Sequence, residues 1–318
     1  MDKLIKAITT DGGIRITAAV TTETAGEAQR LHNSYPIATA ALGRALTAAL
    51  IMGSDLKQAK PVPTAAPEVD ETAELFCGET TDSVVQERGA SVTLQFKGGG
   101  ELGVVMAVAD SNGTVKGYVS NPDVVLPSKN GKLDVGGAVG TDGYLSVVKD
   151  LQLKEPYTGI SPLQTGEIAE DLAYYYAKSE QIPSAVSLGV LVETDGSVKS
   201  AGGFIIQVMP GASEESLEML ERSVATMPSI TEILKMGADC EGLLRVAMLG
   251  FDIKILSESD VRYHCDCSSE RVERALISLG RAELEKLAGE QKETEITCSF
   301  CDEIYRFSGA ELLNLRKI

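Results

Sequence analysis

The chain has 318 residues, 43% of them hydrophobic, with 29 Lys and Arg against 46 Asp and Glu, a formal net charge of −17. That length suits one large domain or two ordinary ones, and a charge of that sign repels phosphate backbones and anionic lipid, so neither nucleic acid nor a membrane surface is an expected partner. The longest apolar run, residues 37–52, carries Arg44 and falls short of the ~20 residues of a membrane span, and the first six residues lack the apolar core of a secretory signal, so a cytoplasmic protein is expected.

Residues 14–20 alternate apolar and polar with period two, the pattern of a half-buried strand. Residues 26–53 read as helix, broken at Tyr35-Pro36 because the position before a proline is pushed out of the helical region. The second piece, Ala-rich and nearly uncharged, is expected to be buried. Residues 58–89 then hold Pro61, Pro63 and Pro67 and two basic against seven acidic side chains. That composition predicts a solvated surface excursion, with Cys77 inside it.

From 91 to 208, strands alternate with glycine turns. Residues 92–96 precede Gly98-Gly99-Gly100, and 102–109 form a continuous apolar run suited to a buried strand. Asn112-Gly113, Asp142-Gly143 and Asp195-Gly196 are turn signals ahead of strands at 115–119, 144–148 and 198–208. One helix, over 165–178, interrupts them. The triglycine makes a poor phosphate cradle, since no helix opens after it and no Lys-Ser/Thr pair follows. The class is α+β, an N-terminal mixed sheet-and-helix core.

At Pro210-Gly211 the character changes. Ser213 is an N-cap followed by the first-turn acids Glu214 and Glu215, with Leu217, Leu220 and Val224 at helical spacing. Short helices are expected over 230–236 and 243–248. Met209, Met219, Met227, Met236 and Met248, five of the eight methionines, fall in this stretch. Their flexible thioethers suit ordinary helix packing or a surface that adapts to many partners.

Four of the six cysteines close the chain: Cys265-Asp-Cys267 and Cys298-Ser-Phe-Cys301. In a reducing compartment two such pairs point to a metal before a disulfide framework. Four thiolates complete a tetrahedral Zn²⁺ shell and leave no position for substrate, so the site is not hydrolytic. His264 is a competing ligand that a complete shell does not need. Ser268 caps an amphipathic helix striped by Val272, Ala275, Leu276 and Leu279 and stopped at Gly280; a second helix covers 282–288, and 295–297 with 304–307 flank the second pair as a hairpin. Fifty-four residues bury too little to stand alone, and one zinc ion per chain would staple them. A Cys-x-Cys disulfide closes a tight, strained ring, and strained disulfides are labile. From the residues alone, the reading is a zinc module open to oxidation, and it goes no further.

Over nearly its whole length the sequence resembles the 33 kDa chaperonin family, the redox-regulated heat-shock chaperones. The most specific match is the Cys265-x-Cys267 and Cys298-x-x-Cys301 pattern with Ser-Ser-Glu-Arg-Val-Glu-Arg-Ala-Leu after Cys267 and Leu279-Gly280. Segments 38–44, 117–122, 157–159, 166–172, 179–184, 201–204 and 207–211 support it in the family's order. The resemblance implies an ATP-independent holdase rather than an enzyme, with unfolded client proteins as partners. It implies a core domain over 1–211 for client binding and dimerisation, a metastable helical linker over 212–264, and a zinc-binding redox-switch domain over 265–318. It further implies zinc held by Cys265, Cys267, Cys298 and Cys301 in the inactive state. Oxidation would form Cys265–Cys267 and Cys298–Cys301 disulfides, expel zinc, loosen the linker and favour a homodimer. The excursion at 58–89 is longer than the family leads one to expect, and Cys77 and Cys240 stand outside the switch.

Other functions weigh less. A thiol–disulfide oxidoreductase uses Cys-x-x-Cys, but no thioredoxin-like βαβ context surrounds Cys298. A zinc module that reads nucleic acid would show a basic face, whereas residues 265–318 carry eight basic and eleven acidic side chains. A purely structural zinc module in a binding protein is the third alternative.

Overall fold

The period-two runs become antiparallel strands, and the one long apolar run becomes the helix between them. The computed structural model describes residues 1–56, 89–129, 131–290 and 293–315; Cys77 and the acidic stretch up to residue 88 lie outside the described residues. In chain order the elements are β1 (Lys3–Thr9), β2 (Ile14–Val20), α1 (Thr22–His32), α2 (Pro36–Ser54), β3 (Ser91–Lys97), β4 (Val104–Asp110), β5 (Thr114–Val119), α3 (Val135–Val139), β6 (Tyr144–Asp150) and β7 (Tyr157–Pro162). There follow α4 (Ile168–Tyr175) with a π-turn (Tyr176–Glu180), β8 (Ser184–Val192), β9 (Val198–Val208), α5 (Glu214–Thr226), α6 (Ile230–Lys235) and α7 (Cys240–Ala247). The chain ends with β10 (Ile253–Asp260), β11 (Arg262–Tyr263), α8 (Ser269–Ser278), α9 (Arg281–Glu290), β12 (Glu293–Thr297), β13 (Ile304–Ser308) and α10 (Gly309–Leu315). The architecture is α+β.

One sheet has the order β10-β1-β2-β9-β8 and the other β11-β5-β4-β3-β6-β7. Every pairing in them is antiparallel except β11 on β5, which is parallel. Helix α2 lies between the sheets, against β3, β4 and β5 on one side and β2, β8 and β9 on the other. Pro36 sits at its first turn, where no backbone N–H is needed, and Tyr35 stays extended. At 19 residues this helix matches a membrane span by length and composition, so the apolar run is longer than residues 37–52 suggest. Yet 89% of its most apolar window is buried inside the protein, as in a core helix.

Three clusters of buried side chains result. The largest joins both sheets through α2, with Leu42, Leu46, Leu50, Leu94, Phe96 and Tyr175 among its members. The second lies on the opposite face of the first sheet, where Ile5, Ala7, Ile14, Ile16, Ala18, Phe204 and Ile206 meet Leu220, Ile230, Ile233, Leu234, Leu243, Leu244 and Met248 of the α5–α7 segment. The third, in the C-terminal part, consists of Leu276, Leu284, Phe307 and Leu312.

The turn signals hold where they are short. Asp110 Oδ1 accepts from Asn112 N at 2.9 Å and Thr114 N at 3.0 Å, and Gly113 takes φ +84° at the β4–β5 tip. The triglycine serves packing: a Cβ on Gly98 would lie 2.1 Å from the Gly140 carbonyl oxygen, and one on Gly100 2.3 Å from that of Ala138. The helix expected over 165–178 starts later, at Ile168, because the Asp171 carboxylate accepts from Gln164 N and Thr165 N and holds those residues in the entry loop. Helix α6 falls where expected, whereas α7 starts three residues earlier than the 243–248 expected, at Cys240, because Asp239 caps it through Gly242 N. Beyond them the linker is not helical: residues 253–263 pair as β10 and β11, one in each sheet.

Candidate metal centre

Two local structures bring the cysteines together. Tyr263 ends β11, and His264 donates its backbone N–H to Val115 O at 2.9 Å, which places Cys265 and Cys267 at the start of β5. The second pair sits in the loop between β12 and β13, closed by Cys298 N to Glu303 O at 2.9 Å and Asp302 N to Cys298 O at 2.9 Å, with Asp302 at φ +59°. Ser268 Oγ then caps α8 through Arg271 N, so the first pair leads straight into a helix.

The four Sγ atoms all lie within 4.8 Å of one another, each residue is half-buried, and all four thiols are free. Cys265 and Cys298 are 3.7 Å apart and Cys267 and Cys301 3.3 Å. A tetrahedral ion with Zn–S bonds near 2.3 Å spaces its sulfurs about 3.8 Å apart, so the donor set fits zinc in number, type and spacing. The group within that distance does not include His264. Burial pushes the Cys265 thiol up to about 11. At Cys267 burial acts the same way, but hydrogen bonds from Tyr305 and the neighbouring thiols outweigh it and pull the thiol below its usual value. Cys301 is raised by burial and by the thiols around it. A dication at the centre would reverse this competition, since thiols deprotonate on coordination.

A cleft of about 400 Å³ opens on the cluster, lined by Glu27 and Leu31 of α1 and by Tyr263, Cys265, Cys267, Cys301 and Tyr305 among others. Small solutes therefore have a path to three of the four sulfurs.

The cluster is docked on the core by residues that sequence reasoning missed. Phe300, between the cysteines of the second pair, meets Tyr118 of β5 edge-on at 5.5 Å and lies under the Lys116 ammonium at 5.1 Å. Asp266, between those of the first pair, is ion-paired to Lys116 and Arg271. Burial opposes ionisation there, but the two cations hold the carboxyl well below its usual range. Tyr263 Oη donates to Gly117 O at 2.9 Å and also meets Phe300 O; His32 Nε2 lies 2.9 Å from Gly117 O and its Nδ1 3.5 Å from Asp302 Oδ2. No spacing rule marks these residues, because they become neighbours only when β11 lies along β5. Cys240 stands apart: it is buried under the first sheet with its thiol on Ala18 O at 3.3 Å, and burial raises it to about 12.

Fold and site thus define a two-sheet α+β core with a four-thiol module docked on one strand. The Hsp33 protein family model matches residues 2–66 and 73–308. A 33 kDa chaperonin of Clostridium perfringens strain SM101 is 47% identical over 313 residues, covering 98% of this chain and 90% of that one. The 33 kDa chaperonin of Clostridium beijerinckii is 44% identical over 98% of this chain and 97% of its own length. The crystal structure of the 33 kDa chaperonin (heat shock protein 33 homolog) of Thermotoga maritima superposes with a TM-score of 0.82 at 36% identity, over 99% of this chain and 97% of that one. The chain belongs to the Hsp33 family: it is a chaperone, not an enzyme.

Proposed function

We propose that this Hsp33-family chaperone is an ATP-independent holdase gated by oxidation of its four clustered thiols. In this reading residues 1–211 are the client-binding core, 212–264 the linker and 265–318 the switch module. The observation that carries it is a chain path. Helices α5–α7 cover the apolar face of the first sheet, and the chain leaves that cover through β10 and β11 and enters Cys265 with no slack. Whatever loosens the cluster pulls at the end of the cover.

Cys265, Cys267, Cys298 and Cys301 are the ligands, and one zinc ion bound there supplies the cross-link that a core of four buried side chains does not. Tyr305 favours the Cys267 thiolate, and Lys116, ion-paired to Asp266, keeps the first pair on β5. Peroxide entering the cleft would oxidise each pair of thiolates to a disulfide: the pair gives up two electrons, and one H₂O₂ takes two protons from solvent and becomes two waters. Sulfur contacts at 3.7 Å (Cys265 to Cys298) and 3.3 Å (Cys267 to Cys301) join the two pairs. The disulfides that the family resemblance implies, Cys265–Cys267 and Cys298–Cys301, would leave the two segments untethered. The ligand set is then gone, the module loses its staple, and the cover releases apolar surface for unfolding clients. Exposed apolar surface also favours a homodimer of the oxidised form. The protein acts in the cytoplasm, with no nucleic acid or membrane as partner.

Light scattering from a heat-unfolding client tests this, with the protein either zinc-loaded and reduced or peroxide-treated. Suppression by the oxidised form alone is expected, and Cys298→Ser is expected to abolish zinc retention and regulation together. Equal suppression by both forms leaves a chaperone with a structural metal site, and none by either overturns the holdase reading.

A further inference from the structure

We propose that the outer edge of β1 is the strand that receives clients: an extended segment of an unfolding protein adds to it antiparallel, in the place β10 holds here. This rests on the holdase reading above and names its binding surface.

The occupant of that edge in this structure is instructive. β10 pairs with β1 from Lys3↔Asp260 to Thr9↔Ile253, with an irregularity between Lys6 and Ala7. Its side chains contribute little. From Lys254 to Asp260 every one is exposed, including Ile255 at 45% and Leu256 at 51%, and only Ile253 packs under the cover. The one ion pair across the strands, Lys3–Glu258, is itself exposed and adds little. Main-chain hydrogen bonds hold β10 in place, so the edge accepts a strand with little regard to its sequence. β1 is the opposite case. Leu4 is buried toward α2, while Ile5 and Ala7 are buried toward α5–α7, so β1 keeps its place in the sheet without β10.

β10 is also the segment bound to leave when the cover opens. It follows α7 directly, and Val261 N to Asp2 O at 3.2 Å and Arg262 N to Gly113 O at 3.0 Å are ties just ahead of the thiol cluster. Departure of α5–α7 and β10 together uncovers two features side by side: the strip of Ile5, Ala7, Ile14 and Ile16 from under the helices, and a row of unpaired N–H and C=O groups along β1. An exposed edge of this kind recruits other strands. An extended chain with apolar residues at alternate positions satisfies both features at once, by main-chain bonds along the edge and side chains on the strip. A folded protein presents neither, so the same edge separates clients from intact proteins.

Thr10 N to Asp252 O and Val261 N to Asp2 O show that the even-numbered residues of β1 face β10, because successive residues point to opposite sides. Hydrogen–deuterium exchange on the full chain therefore reads the edge at the amides of Leu4, Lys6 and Ile8, with Ile5 and Ala7, bonded to β2, as internal controls. Three samples are compared: reduced and zinc-loaded, peroxide-oxidised, and oxidised with reduced carboxymethylated lactalbumin, a permanently unfolded protein. The even-numbered amides are expected to exchange slowly, then fast, then slowly again by roughly tenfold or more, with the odd-numbered ones slow throughout. Even-numbered amides that stay slow after oxidation, or stay fast in a complex shown by anisotropy of labelled lactalbumin, overturn the proposal. Slowing that returns without client and grows with protein concentration assigns the edge to a second copy and overturns it equally. Absence of any complex with the oxidised protein overturns the holdase reading beneath it.

Discussion

The two ends of this chain solve the same folding problem by different means. The core wraps two sheets around α2 and buries Leu42, Leu46, Leu50, Leu94 and Phe96 essentially completely. The C-terminal module has Leu276, Leu284, Phe307 and Leu312, and its remaining apolar contacts are only partly buried. At about 25 cal/mol per Å² of apolar burial, four side chains offset little of the entropy of ordering some fifty residues. The core is stable by area, and in the proposed reading the module depends on a metal cross-link. The linker between them is intermediate: it has a buried face, but one lent by the first sheet. The four clustered thiols, and with them the proposed switch, sit in the part of the chain that buries least.

The largest test of this contrast is removal of the metal. Structural zinc sites contribute about 10–16 kcal/mol of apparent binding energy, which appears as folding energy. A chelator should therefore erase the module's protection from exchange and protease while β1–β9 stay protected. Uniform loss across the chain, or a module that survives, would break the comparison. The next test uses equal chemistry at both ends. Leu46→Ala and Leu312→Ala each remove a fully buried leucine, a change worth about 2–5 kcal/mol. In the core the loss should lower the denaturant midpoint; in the module it should lower apparent zinc affinity by roughly a hundredfold, because folding and binding are one event there.

Gly98→Ala sharpens the account of the core. The new Cβ meets backbone rather than a yielding side chain, so thermal melting should show a loss of at least about 1–3 kcal/mol with zinc content unchanged. Glu180 gives the core a pH signature. Burial pushes its carboxyl up, but Lys149 at 2.6 Å and the Tyr175 hydroxyl at 2.6 Å outweigh it and hold it below its usual value. The stabilisation is present above the unfolded Glu value of about 4.3 and is lost as pH falls through the folded one. Glu180→Gln should cost about 1–3 kcal/mol at pH 7 and progressively less below pH 4, read from urea midpoints across pH. The smallest effect is kinetic. Cys240, raised to about 12 and buried, should resist iodoacetamide until α5–α7 leave the sheet; labelling in the reduced state would show the cover already open.

Much of this was legible in the order of residues. Strand β2 begins and ends at the period-two run, Tyr35-Pro36 does separate two helices, and Ser268 and Gly280 do bracket α8, because caps, breakers and periodicity act within a few residues. The four-thiol cluster was equally plain, since two close pairs have few other uses. What was illegible depended on distant partners. The triglycine carries no cue that it lies against 138–140, and nothing around 253–263 says that one short stretch joins both sheets. Asp266 and Phe300 are the unnamed residues of the two cysteine motifs, and each matters only because β11 places it beside Lys116 or Tyr118.

By itself, then, the sequence determined the α+β class, the local elements and the donor set for a metal, all of which follow from short-range sterics, capping and side-chain chemistry. Only the tertiary structure decided how the donor set is coupled to the rest. Residues some 150 positions apart, such as Lys116 and Asp266, lock the module to β5, and β10 closes an edge of a sheet begun at Lys3. Such pairings rest on loop closure and shared burial over the whole chain, and no local pattern records them.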